Sequence, residues 1–189
     1  MPSPSLGVRT LPPAARSVVA LCLGFVLVNG LVAAWLVVLG RDALPAAVPL
    51  EWWNGSLLSA HNSQHVMDFY SPLHAVSGAA LYFAATALRP HWPLHRRLLL
   101  VIACSGVWEI VENTPAVIAL FNAPQGPAVY RGDSIVNALS DCAFVLGGSL
   151  AAHGCPRWLV ITAGVLVEIA GALVISDGLV LGTARLVLR

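Results

Sequence analysis

Long apolar runs recur along the chain at 17–39, 71–88, 98–120, 134–152 and 158–176, parted by short polar or proline-rich breaks. Runs of about 20 apolar residues match the thickness of a bilayer's hydrocarbon core, so each predicts a membrane-crossing helix. Pro115 falls inside the third run, where its missing N–H predicts a kink or an end to the regular helix. Residues 1–16 are rich in proline and lack periodicity, which predicts a disordered leader ahead of one domain over 17–189. The apolar tail at 177–189 either lies along the interface or forms a sixth, short segment. The expected fold is all-α, a polytopic transmembrane helical bundle of about five spans.

Composition sharpens this picture. Of 189 residues, 58% are hydrophobic and 10% charged, against about 25% charged in a soluble domain. A net charge of +1 and the lack of a basic tract exclude an electrostatic footprint for nucleic acid. The four cysteines lie in apolar runs or a short loop and suggest buried small hydrophobes rather than a disulfide framework. Basic residues crowd the break after the second run as Arg89, Arg96 and Arg97, which puts that loop and the N-terminus on the cytoplasmic side of a bacterial inner membrane. Gln125 then lies outside.

The chemistry gathers in the outer half. Asp133, Asn137 and Asp141 recur every four residues, so as a helix they share one face. On a rise of about 1.5 Å per residue, Asn137 lies about 6 Å deep, Asp141, Glu112 and Glu168 about 12 Å, and Glu109 about 17 Å. Of nine acidic residues only Asp42 and Glu51 are plainly in a loop; Asp68, Glu109, Glu112, Asp133, Asp141, Glu168 and Asp177 belong to the cluster or its rim. Arg131 is the one arginine close by in sequence. These carboxylates cannot all stay ionised beside one arginine in a low dielectric. Three solutions stay open: a bound metal ion, a network of protonated and hydrogen-bonded acids, or an ion or proton pathway.

For the metal reading, His65, Asp68, His74 and Asp133 are the expected ligands of one divalent ion, with His61, His65 and Asp68 on one face if that stretch is helical. Glu109, Glu112 and Asp141 would do acid–base work. Asn113, Asn137 and Glu168 complete a polar network. Ser134 has no histidine placed as its general base, which argues against a serine hydrolase. Gly78, Gly147, Gly148, Gly164 and Gly171 read as points of close helix approach.

Several ordered motifs resemble a known family. They are Ser63-Gln64-His65 with Asp68, Tyr70, His74 and Gly78; Trp108-Glu109 with Glu112-Asn113; and Gly132-Asp133-Ser134 with Asn137 and Asp141. Together they are similar to an alphaproteobacterial inner-membrane family known only as a domain of unknown function, the one numbered twenty-five eighty-five. The resemblance spans about residues 50–180. The chain departs from the family pattern at Ser77, where a second histidine is expected, around 50–55, where cysteines are, and at Ser176-Asp177-Gly178. More loosely, a histidine, a glutamate and Asp-x-x-x-Asn on successive spans are similar to VanZ-like membrane proteins. Neither resemblance implies a reaction. The expected partners are the lipid bilayer and a lipid or lipid-linked envelope substrate; the alternative is a non-enzymatic module such as a small transporter, proton pathway or partner subunit. The sequence leaves the oligomeric state open.

Overall fold

A computed structural model describes residues 12–57, 59–122 and 130–188. They form helices α1 (Pro13–Val38), α2 (Ser71–Leu88), α3 (Leu94–Glu112), α4 (Pro115–Asn122), α5 (Ile135–Gly154), α6 (Arg157–Val174) and α7 (Leu179–Val187), with no strand among the described residues. Local chemistry sets the ends. Pro13 opens α1, where a missing N–H costs nothing. The helix closes on Gly40 in the left-handed region (φ +72°), with Gly40 N–H bonded to Val37 O and Arg41 N–H to Leu36 O. Asp68 caps α2, its Oδ1 accepting from Tyr70 N (2.7 Å) and Ser71 N (3.2 Å). Pro115 ends the third apolar run as a regular helix and starts α4. Ser134 caps α5 by accepting from Asn137 N.

Cross-contacts fix the helix directions. Gly24, Gly106 and Trp35 meet Leu99, Val28 and Ile110, so α1 and α3 run parallel. In α2 and α5, Ser71 bonds Asp141 near the starts and Tyr82 bonds His153 (2.8 Å) near the ends, so this pair is parallel too, and the helices cross where Gly78 lies against Val145 and Gly148 against Ala75. Arg97 at the start of α3 reaches Thr86 near the end of α2, making those two antiparallel. Gly164 and Gly171 of α6 face Val76 and Leu73, so α6 opposes α2. The α2–α5 contact is backbone on backbone: a Cβ on Gly78 or Gly148 would strike the facing main chain, and Ser149 Oγ donates to Gly78 O (3.0 Å). Gly147, by contrast, faces open space.

Among the described residues, α1, α5 and α6 are long and apolar enough to cross a membrane. The other two expected spans, α2 and α3, form helices where expected but are not among these. Ser71 and His74 make α2 less apolar, and Arg96, Arg97, Glu109 and Glu112 do the same for α3. The expected leader falls mostly on residues 1–11 and the outer position Gln125 on 123–129, both outside the described residues; from Pro13 the leader's end is helical.

Candidate functional site

Three helices bring His74, Glu109, Glu112 and Asp141 together. The antiparallel course of α3 sets its C-terminal end beside the start of α2, and the parallel course of α5 sets its start there as well. His74 Nδ1 is 3.7 Å from Glu109 Oε1, and Nε2 is 3.7 Å from Asp141 Oδ2. One ligand atom each of His74, Glu109 and Glu112 lies within 4.8 Å of the others. Glu109 is wholly buried, and neither of its carboxyl oxygens has a hydrogen-bond partner; Glu112 Oε2 is likewise buried and unpartnered. A carboxyl group placed so costs several kcal/mol unless something else satisfies it, about 1–3 for each stranded neutral group. The Trp108 side chain lies near Glu112.

Around this centre lie two hydrogen-bonded supports. In the first, Ser71 Oγ donates to Asp141 Oδ1 (3.1 Å) and accepts from Asp68 N (3.2 Å), while Ser63 Oγ donates to Asp68 Oδ2 (3.2 Å). In the second, Asn113 Nδ2 donates to Asp133 Oδ2 (2.6 Å), Asp133 N donates to Asn113 Oδ1 (2.7 Å), and the Tyr130 hydroxyl donates to Asp133 Oδ1 (2.9 Å). Burial pushes the Asp133 carboxyl up to about 6 despite its bonds from Asn113 and Tyr130. Burial also raises Asp68 above the usual carboxylate range, and it holds the Tyr130 hydroxyl well above its ordinary value, reinforced by Asp133.

The expected ligand set is therefore spread over different places. The 61–70 stretch is not helical: it runs through turns, with Ser63 at φ +57°, so His61, His65 and Asp68 share no helix face. His65 Nδ1 accepts from Glu51 N (3.1 Å), which in the neutral ring puts the proton on Nε2 and leaves no lone pair for a metal. Asp68 and Asp133 are engaged in the supports, Asp68 with Ser63 and the start of α2 and Asp133 with Asn113 and Tyr130. Asp133 precedes α5 rather than lying on it, so only Asn137 and Asp141 share its face; Asn137 donates to His65 O (2.9 Å). Glu168 stands apart from the centre and caps α7, accepting from Leu179 N (2.7 Å) and Val180 N (3.3 Å).

The nearby cation differs as well. Arg41, not the Arg131 side chain, reaches the second support, donating to Asn113 O (3.0 Å) and to Arg131 O. Gly132, at φ +89°, lets the chain pass over that guanidinium. Nothing local in the sequence marks Arg41, which stands 72 positions from Asn113. Ser71 did carry a signal: Asp68-x-x-Ser71 before an apolar run has the spacing of a reciprocal cap.

A family model described as "Protein of unknown function (DUF2585)" matches residues 36–188. The chain belongs to this family. Relatives called UPF0314 proteins include one from Brucella anthropi, 34% identical over 82% of this chain and 78% of the relative. One from Paracoccus denitrificans is 35% identical over 85% and 83%, and one from Novosphingobium aromaticivorans 32% over 96% and 91%. No solved structure matches. The matched region holds every residue of the centre and its supports.

Proposed function

We propose that this DUF2585 protein is a membrane-embedded, metal-dependent enzyme acting on a lipid or lipid-linked envelope substrate. The observation that carries the reading is the Glu109 carboxyl, wholly buried with both oxygens unpartnered, between His74 and Glu112. A divalent ion there would be held by His74, Glu109 and Glu112, a donor set that suits zinc, iron or manganese. When bound, such an ion polarises a carbonyl or phosphoryl oxygen and lowers the pKa of a bound water. The chain's own residues exclude water, orient the imidazole and hold the carboxylates together.

The setting supports a lipid substrate. Three apolar helices surround or adjoin the centre, and half-exposed Trp108 stands next to Glu112 on the outward side of α3. The alternating directions of α1, α2, α3, α5 and α6 favour five crossings. Arg89, Arg96 and Arg97 at the far end favour a cytoplasmic N-terminus, with the acidic centre in the outer half of the inner membrane. A second reading is favoured by the two supports, whose carboxyl groups are hydrogen-bonded without an ion. On that reading the protein is a non-enzymatic transporter, proton pathway or partner subunit with a structural polar core.

Elemental analysis of detergent-purified protein separates the two. The enzyme reading expects about one divalent ion per chain, from the number of ligands present. His74→Ala and Glu109→Gln should lose most of that ion, whereas His95→Ala, at the other end of α3, should keep it. Absence of any retained metal, with no effect of chelator on melting temperature, favours the structural core.

A further inference from the structure

We infer that Asp141 is a positioning residue: it holds His74 through Nε2, so that the Nδ1 lone pair is presented to Glu109 and Glu112. The inference rests on the metal reading above and assigns Asp141 a different part from the acid–base work expected of it. The two ring nitrogens face opposite acids at the same distance, 3.7 Å, so distance alone does not say which side takes an ion. Their partners decide it. Asp141 is already engaged, its Oδ1 accepting from Ser71 Oγ. It stands outside the group of ligand atoms that lie within 4.8 Å of one another. Glu109 has both oxygens free of partners, and Glu112 lies close enough to close the third corner.

Neutral imidazole has one N–H and one lone pair. With the proton on Nε2, the ring donates toward Asp141 Oδ2 and turns its lone pair on Nδ1 to the glutamates. With the proton on Nδ1, the ring would instead donate toward Glu109 Oε1, and no lone pair would be left for an ion held with the glutamates. A carboxylate behind a ligating histidine fixes the tautomer and ring angle, and its loss generally weakens metal binding by about 10–100-fold. At 3.7 Å the ring is about 0.8 Å beyond hydrogen-bond contact on each side, within reach of a small rotation.

The outer chain fits this part. Asp141 is tied to Ser71, Ser71 to the backbone and carboxyl of Asp68, and Asp68 to Ser63. Two of these four residues, Ser71 and Asp68, sit in or beside the first turn of α2, which also carries His74. Asp68, expected as a ligand, thus serves three steps behind one, keeping the orienting carboxylate fixed.

Cobalt(II) titration of the purified full-length chain, followed by its visible absorption, tests the inference. The wild type should bind and give ligand-field bands. Asp141→Asn should bind about 10–100-fold more weakly and with altered bands, because the amide can present an N–H to Nε2 and reverse the tautomer. Ser71→Ala, which removes the donor to Asp141 and the acceptor for Asp68 N but leaves the Asp141 carboxylate in place, should weaken binding less, and His153→Ala should leave it unchanged. Melting temperatures of the metal-free proteins report folding separately; should Asp141→Asn not fold, Ser71→Ala and Asp141→Glu carry the comparison. Wild-type binding with unchanged affinity and bands in the Asp141 and Ser71 variants would overturn the positioning role and leave the metal reading standing. A wild type that binds no cobalt, zinc or manganese overturns both.

Discussion

Helices α5 and α6 are neighbours in sequence, similar in length, and both apolar enough to cross a membrane, yet they do opposite work. Along α5 the buried residues Asn137, Asp141, Val145, Gly148 and Ser149 follow one face, packed against α2. In α6 no residue is buried, and Trp158, Ile161, Val165, Leu166, Ile169 and Leu173 are all exposed in the isolated chain. Apolarity alone says that a helix belongs among lipid tails. What makes a helix part of the protein's interior is a face of small and polar residues that gives close approach and hydrogen bonds, because apolar side chains gain little from packing on each other rather than on lipid.

Substituting the small residues should break this comparison most severely. Gly148→Leu places a side chain in the Ala75 backbone and forces α2 and α5 apart, so it should cost at least the about 1–3 kcal/mol typical of overpacking and scatter the His74 centre. Gly164→Ala in α6, whose Cβ would meet Val76 at an ordinary 3.4 Å, should be nearly silent. Thermal unfolding in detergent measures both; equal losses would mean that α6 packs as tightly as α5.

A smaller effect separates the polar contacts of the two regions. Asn113→Ala strands Asp133 Oδ2 and N–H, at about 1–3 kcal/mol for a buried unsatisfied group, while Oδ1 keeps the Tyr130 hydroxyl. Glu168→Ala removes an acceptor from two N–H groups at the start of α7, at most about 1 kcal/mol at a half-exposed helix end. Denaturation of the two variants in one detergent should rank them in that order.

The finest distinction is in pH. The folded Asp133 carboxyl, at about 6 against 3.8 in the reference state, binds its proton more strongly when folded. Its contribution to stability is therefore full below about pH 4 and is lost as pH rises through about 6. Asp133→Asn should flatten that part of the stability curve, with the remaining fall owed to other buried acids such as Asp68. A variant curve parallel to the wild type between pH 4 and 6 would show that Asp133 does not titrate there.

Much of this molecule was determined locally and could be read from the chain. The apolar runs, the stop at Pro115, the cap at Ser134 and the Gly40 terminus follow from backbone sterics and hydrogen-bond supply within a few residues, so α2, α5 and α6 formed where the pattern put them, while α1 begins earlier, at Pro13, and the third run divides into α3 and α4. The same pattern singled out His74, Glu109, Glu112 and Asp141, because acids and a histidine in apolar runs need partners wherever they end up. Which partners they found was a tertiary matter. The parallel α2–α5 contact, set by Gly78 and Gly148, brings Asp141 to one side of His74, and the returning α3 brings Glu109 to the other. Turns in 61–70 break the helical spacing that had joined His65 and Asp68 to His74. Arg41 reaches Asn113 across 72 positions. Periodicity fixes which residues share a helix face, but which faces meet depends on the packing of separate helices, where small differences in backbone approach outweigh any signal carried by neighbours in the chain.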